Sequence, residues 1–184
     1  MTILHIDSSI NGDRSVSRII SRSIIDHLKA QNPSVRVIRR DLGAHPLPHL
    51  TLDALANNTV VEEFLVADVV VIGAPMYNFG ISSQLKAWID RLAVAGKTFQ
   101  YTEKGPEGLA GGKKIIVASS RGGFFGPDTP SASLDHQEPY LRTIFGFVGV
   151  TDITFVRAEG VAYGVEAREK AIEAAQIAAR KLAA

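Results

Sequence analysis

The sequence predicts a doubly wound α/β fold, in which a five-stranded parallel sheet carries helices on both faces. Apolar runs of strand length alternate with longer segments whose apolar residues recur every three or four positions, as in successive βα units. The run at residues 67–74 is almost continuously apolar, and residues 113–119 contain the apolar stretch Ile-Ile-Val-Ala, as expected for strands covered by helices on each side. The chain has 184 residues without internal repeats or linkers, so we expect one domain over residues 1–184.

The first half of the chain alternates three predicted strands with two predicted helices. The first strand is rich in β-branched residues, and the helix after it has an apolar residue at every fourth position until a proline stops it. In order, the elements are a strand at Thr2–Asp7, a helix from Val16 to about Asn32, an outer strand at 35–39, a loop at 41–50, a helix at 52–66 and a buried strand at 67–74.

The second half continues the same alternation with two strands and three helices. Its last helix is rich in alanine and carries cations in its final turn, where they complement the helix dipole. In order, we predict a helix from Ser82, a turn at Gly105–Gly108, a strand at 113–119, a glycine- and proline-rich loop at 120–137, a helix at 141–147, a strand at 153–158 and a helix at 165–182.

Composition excludes several kinds of chemistry. The chain has no cysteine, which removes thiol nucleophiles, disulfides and cysteine-bound metals. Its five histidines lack the spacing of a paired metal site, so we expect no metal. Twenty basic and nineteen acidic residues leave a net charge of +1, which gives no reason to expect nucleic acid as a partner. We expect no membrane insertion and a cytoplasmic protein, because no apolar run is long enough to span a bilayer and the start lacks a signal-peptide pattern.

Three unusual loops follow the first, third and fourth predicted strands. In parallel sheets, ligands bind beyond the carboxyl ends of the strands. The first loop, residues 8–17, is dense in hydroxyls and opens a helix, where free N–H groups attract phosphate, and Ser9, Ser15 and Ser17 would add donors. The second, residues 75–80, places Tyr77 and Phe79 around Asn78. The third, residues 119–123, ends in two glycines that allow close approach of the backbone to a ligand.

Together these loops imply a ligand with a phosphate at one end and a flat polar ring at the other, and FMN fits best among mononucleotides. Each loop also has a purely structural alternative: a helix cap with an Asn-Gly turn, aromatic core or dimer contacts, and a plain turn. The chain lacks the G-x-G-x-x-G fingerprint of dinucleotide binding and the G-x-S-x-G motif of serine hydrolases.

At these loops the sequence resembles the FMN-dependent NADH-azoreductases, also called FMN-dependent NADH:quinone oxidoreductases. The most specific motif is Ala-Pro-Met-Tyr-Asn-Phe at residues 74–79. Further matches lie at residues 101–109, 119–123, 139–141 and 158–164. The resemblance implies a flavodoxin-like fold and a homodimer that holds FMN at its interface.

The resemblance also assigns roles to particular residues. It implies contacts to the FMN phosphate from Ser9, Ser15, Val16 and Ser17. It implies that the isoalloxazine ring is lined by Met76, Tyr77, Asn78 and Phe79 and met on its far side by Ser120, Arg121, Gly122 and Gly123. Tyr101 and Phe147 match aromatic positions on the substrate side. The stretch 47–59 is shorter than in many members, and Phe124 and Phe125 stand where some relatives carry a histidine.

We therefore expect an enzyme that takes hydride from NADH and reduces quinones and azo compounds by a ping-pong mechanism. FMN carries the chemistry, and no side chain is expected to act as an acid–base catalyst. Two alternatives stay open from the sequence: a flavodoxin-type electron carrier and a non-enzymatic mononucleotide-binding protein. The net charge of +1 argues against the carrier, because such carriers are usually strongly acidic.

Overall fold

The computed structural model of the protein describes residues 1–56 and 58–182. Strands and helices alternate along the chain as the sequence predicts. In chain order they are β1 (Thr2–Asp7), α1 (Val16–Gln31), β2 (Arg36–Asp41), α2 (Leu52–Ala56), α3 (Thr59–Val66), β3 (Val69–Pro75), α4 (Ser83–Ile89), β4 (Phe99–Thr102), β5 (Gly105–Gly108), β6 (Lys114–Ser120), α5 (Glu138–Phe147), β7 (Asp152–Ala158) and α6 (Val165–Ala179).

Five strands form a parallel sheet in the order β2-β1-β3-β6-β7, which is the flavodoxin-like arrangement. The predicted fold class is therefore confirmed. The pairing places Asp7 beside Gly73 and Pro75 beside Ser120. Strands β1, β3 and β6 consequently end at the same edge of the sheet, and the three unusual loops leave from that edge.

Apolar side chains cover both faces of the sheet. On one face, Ile20, Ile24 and Leu28 of α1 pack with alanines of α6 against the strands. On the other, Trp88 of α4 meets Phe64 of α3 edge to face, with ring centroids 6.2 Å apart. Burial on both faces explains the continuous apolar runs in β3 and β6. No helix in the described part of the chain is long and apolar enough to cross a bilayer.

The predicted turn at Gly105–Gly108 is wrong, because these residues form strand β5, which pairs with β4 in an antiparallel hairpin. Its glycine pattern reflects close packing instead. A Cβ on Gly108 would lie 2.1 Å from the nitrogen of Gly149, so only glycine fits where the hairpin meets the chain after α5. Ala110 then donates its N–H to the carbonyl of Val148 at 2.8 Å.

The predicted helix at 52–66 is two helices, α2 and α3. Asn58 caps α3, since its side chain accepts a hydrogen bond from the N–H of Val61 and donates one to the carbonyl of Arg91. Residue 57 of the predicted helix lies outside the described residues. The last helix ends at Ala179 rather than at residue 182.

A largely buried ion pair fixes the start of α1, where the first loop ends. Arg18 of α1 donates two hydrogen bonds to Asp41 at the end of β2, at 2.5 and 2.8 Å. The hydrogen bonds from Arg18 lower the pKa of Asp41 to about 2. Oδ1 of Asp41 also accepts the N–H groups of Gly43 and Ala44, so the carboxylate organises the loop after β2 as well.

We predict that the Asp41→Asn substitution flattens the acid branch of the stability profile. Because the folded-state pKa of Asp41 lies below its ordinary value, the pair stabilises the protein above about pH 4, and this contribution is lost as the pH falls towards about 2. Urea unfolding at pH 7, 4 and 3 measures it. The free energy of unfolding should fall less with acid in the variant than in the wild type, and parallel pH profiles would contradict the prediction.

Candidate functional site

The three loops meet around a cavity of about 250 Å³ at the carboxyl edge of the sheet. The residues that line it come from the ends of β3 and β6, from the loops that follow β1, β3, β6 and β7, and from helices α1 and α6. The lining residues are Ser9, Asn11, Arg14, Ser15, Val16, Pro75, Met76, Tyr77, Ser120, Gly122, Val161 and Arg168. Seven predicted site residues, Ser9, Ser15, Val16, Met76, Tyr77, Ser120 and Gly122, thus lie together.

Hydrogen-bond donors for an anion converge at the start of α1. Ser15 is the N-cap of α1, and its hydroxyl accepts the N–H of Arg18 at 3.3 Å. Val16 and Ser17 are the first two residues of α1, where N–H groups have no acceptor within the helix. The hydroxyl of Ser17 is fully buried, 3.0 Å from that of Ser15. Free N–H groups and the positive end of the helix dipole together favour phosphate.

Tyr77 joins the first loop to the second. Its hydroxyl lies 3.2 Å from the hydroxyl of Ser9 and accepts the N–H of Ile10 at 3.2 Å. The Ser9 hydroxyl in turn accepts the N–H of Asn11. Tyr77 therefore lines the small cavity and holds the hydroxyl-rich loop at a fixed position relative to the aromatic loop.

The aromatic loop is a strained two-residue turn. Tyr77 and Gly80 exchange two backbone hydrogen bonds, of 2.9 and 3.0 Å, across Asn78 and Phe79. Both central residues have positive φ, 47° and 70°, as a type I′ turn requires. Asparagine tolerates this conformation, whereas a bulky aromatic residue rarely adopts it. Backbone strain of this kind is concentrated at ligand sites.

Tyr77 also lines a larger cavity of about 830 Å³. It lies between the aromatic loop, α4 and the first turns of α5. The residues that line it are Tyr77, Asn78, Gly80, Ile81, Ser83, Lys86, His136, Pro139, Tyr140 and Thr143. A volume of this order suits a ring-sized organic ligand. His136, which the sequence places only in a loop, lies here and donates its backbone N–H to the carbonyl of Phe79 at 3.0 Å.

Arg121 holds the third loop from beneath. Its side chain is fully buried, and its guanidinium reaches Glu138 at 2.5 Å, Asp135 at 2.9 Å and Glu159 at 3.3 Å. Its backbone N–H and carbonyl are bonded within the protein as well. Arg121 is therefore a positioning residue that ties the loop to α5 and to the chain after β7, and its guanidinium does not line either cavity.

The two glycines after Arg121 present unused donors. The carbonyls of Gly122 and Gly123 accept N–H groups from Ala162 and Gly160. Their own N–H groups donate to no other group among the described residues. This arrangement can supply backbone hydrogen bonds to negative charge at the edge of a ligand ring.

Tyr101 and Phe147 belong to one aromatic cluster, and neither residue lines either cavity. Phe99 joins them, with ring centroids 5.4 Å from Tyr101 and 4.8 Å from Phe147. Phe147 ends α5, about 6 Å of helix beyond Thr143, which is the last residue of α5 that lines the larger cavity. Tyr101 is 77% exposed at its position on the hairpin. The structure does not bring these two predicted residues to the site of the same chain.

The donors and cavities fit a phosphate monoester joined to a flat ring. The small cavity is lined by hydroxyls, early helix N–H groups and two arginines, and none of its lining residues is acidic. Among residues 1–56 and 58–182, no cluster of three or more potential ligands could hold a metal ion. Sequence reasoning missed Arg14 and Arg168. The signal for Arg168 was a cation near the start of a helix, where the dipole disfavours it.

The family model described as "Flavodoxin-like fold" matches residues 1–183. An FMN-dependent NADH:quinone oxidoreductase from a Bradyrhizobium species is 57% identical over an alignment of 201 positions, covering 100% of both chains. The chain belongs to the family of FMN-dependent NADH:quinone oxidoreductases. A second member, from Methylorubrum extorquens, is 52% identical over an alignment of 202 positions, again with 100% of both chains covered.

Solved structures of related proteins agree with this family assignment. An azoreductase from Bacillus anthracis superposes with a TM-score of 0.86 at 29% identity, covering 99% of this chain and 100% of the other. A FMN-dependent NADH-azoreductase from Bacillus anthracis, solved in complex with FMN, superposes with a TM-score of 0.86 at 25% identity, covering 100% and 99% of the two chains.

We predict that Phe79→Gly gives a more stable protein than Phe79→Ala. Both substitutions remove the same ring, but only glycine adopts the left-handed backbone of residue 79 without strain. The difference in the free energy of unfolding should be about 1 kcal/mol in favour of glycine. Urea unfolding of the two variants measures it. Equal stabilities, or a more stable alanine variant, would show that the turn is not strained.

Proposed function

We propose that this protein is an FMN-dependent enzyme that takes hydride from NADH and reduces quinones and azo compounds. The observation that carries the proposal is the pair of adjoining cavities at the carboxyl edge, one suited to a phosphate and the other to a flat ring. Relatives named FMN-dependent NADH:quinone oxidoreductase, at 52–57% identity over their whole length, support it. We further propose that residues 1–184 form one cytoplasmic FMN-binding domain.

The residues of the chain would bind and orient the cofactor. Ser9, Ser15, Val16 and Ser17 would hold its phosphate through hydroxyls and early helix N–H groups. Met76, Tyr77, Asn78 and Phe79 would lie along the ring, with the glycine N–H groups of the third loop at the opposite edge. Bound FMN supplies two-electron chemistry, so that NADH, a proton and a quinone yield NAD⁺ and a hydroquinone.

The free backbone N–H groups of the third loop would stabilise negative charge on the bound ring. Charge develops on the ring system during reduction, and preorganised N–H groups stabilise such charge in a site from which water is excluded. The N–H groups of Gly122 and Gly123 are suited to this role because Arg121 fixes the loop rigidly beneath them. We propose that Ser120 and Arg121 act by holding this loop, and that no side chain is needed as an acid–base catalyst.

We predict ping-pong kinetics, because NADH and the acceptor would occupy the same open face in turn. Initial rates measured with NADH and a quinone varied together should give parallel double-reciprocal lines. Intersecting lines would contradict a single shared site.

The reaction should also oxidise many equivalents of NADH per bound FMN. An electron carrier without a quinone site would oxidise only one equivalent of NADH per bound FMN.

We propose that the enzyme is a homodimer in which each site is completed by the other subunit. Tyr101 is on the hairpin and is 77% exposed to solvent. Its ring packs against Phe99, which also contacts Phe147. Neither Tyr101 nor Phe147 lines a cavity of its own chain. Delivery across a two-fold interface would place them on the substrate side of the partner's site, because such interfaces repeat each contact reciprocally.

We predict that two defective variants restore each other in mixed dimers. Ser15→Asp keeps a good helix cap but repels a phosphate, whereas Tyr101→Ala leaves the phosphate loop intact. If Tyr101 acts across the interface, a mixed dimer contains one complete site. An equimolar mixture after subunit exchange should then reach about a quarter of wild-type activity. Activity no higher than the average of the two parents, or a monomeric mass in light scattering, would contradict the proposal.

A further inference from the structure

The small cavity concentrates positive charge without a counter-charge. Arg14 and Arg168 both line it, and no aspartate or glutamate does. The start of α1 adds the partial positive charge of a helix N-terminus. A phosphate monoester carries about −2 at neutral pH. Its charge therefore matches a cavity whose other donors, the serine hydroxyls and backbone N–H groups, are neutral.

Within residues 1–56 and 58–182, the guanidinium of Arg168 makes one hydrogen bond, and its partner is distant in the sequence. Arg168 is the fourth residue of α6, and its Nη2 donates to the carbonyl of Arg14 at 3.0 Å. It forms no ion pair with a carboxylate of the described residues. A guanidinium has five N–H donors, so most of those on Arg168 are free to bind an anion.

The position of Arg168 is electrostatically unfavourable unless an anion lies nearby. A cation close to the start of a helix opposes the helix dipole. Other arginines of the site region are neutralised, since Arg121 and Arg18 each contact carboxylates within 3 Å. Arg168 is half-buried and bonded to a neutral carbonyl. An incoming phosphate would supply the missing counter-charge.

We propose that Arg168 binds the phosphate of FMN and thereby makes the protein select FMN over riboflavin, which lacks that phosphate. This proposal rests on the function proposed above. Arg168 reaches the cavity from α6, whereas Ser15 and Val16 belong to the start of α1. Its hydrogen bond to Arg14 holds the first loop and α6 together around the ligand.

The test compares flavin dissociation constants of the full-length apoprotein, measured by quenching of flavin fluorescence. Charge-assisted hydrogen bonds are the strong class, so Arg168→Gln should weaken FMN binding about 10- to 100-fold. Riboflavin binding should change less than about twofold, since it depends on the ring loops alone. Arg168→Lys keeps the charge and should lie between the wild type and the glutamine variant. Added salt should weaken FMN binding more in the wild type than in Arg168→Gln.

Arg180→Gln is the matched control, because Arg180 caps the opposite end of the same helix. It should bind both flavins like the wild type. Unchanged FMN affinity in Arg168→Gln would overturn the proposal, and so would an equal loss for FMN and riboflavin, which would assign Arg168 a structural role only. If the wild-type protein bound neither flavin, the proposed function itself would fail, which is a different result.

Discussion

The site depends on the parallel register of three neighbouring strands. Asp7 lies beside Gly73, and Pro75 lies beside Ser120. Strands β1, β3 and β6 therefore end at one edge of the sheet, and the loops that follow them begin side by side. The backbone continues this register, since Met76 donates its N–H to the carbonyl of Ser120 at 2.8 Å. A one-residue slip in a parallel pair would turn every side chain to the other face, so burial of both faces fixes the site geometry.

Two features at this edge of the sheet, a strained turn and a buried network of ion pairs, do not favour stability of the fold. Asn78 and Phe79 are the non-glycine residues with positive φ in the described chain, and both lie in the aromatic loop. Arg121 is wholly buried in an ion-pair network directly beneath the glycine loop. Buried ion pairs seldom add net stability compared with apolar packing. In the proposed site, these ion pairs would hold in place a loop whose own backbone N–H groups are free to bind the ligand.

Periodic patterns made the sheet predictable, whereas long-range contacts were hidden from the sequence. Continuous apolar runs located β3 and β6, and parallel topology then placed the loops correctly. Gly105–Gly108 looked like a turn because the reason for its glycines, the chain at Gly149, is remote in sequence. The burial of Arg121 depends on carboxylates from α5 and from the chain after β7. The contact of Arg168 with Arg14 joins residues 154 positions apart, which no local pattern could indicate.

The most direct measurement is the visible spectrum of the purified protein under anaerobic conditions, recorded before and after one equivalent of NADH and again after a quinone. If the three loops form a flavin site, the FMN-loaded protein should show flavin absorption that bleaches with NADH and returns with the quinone. A protein that stays colourless after incubation with FMN would contradict this central claim, and the loops would then be structural caps and turns.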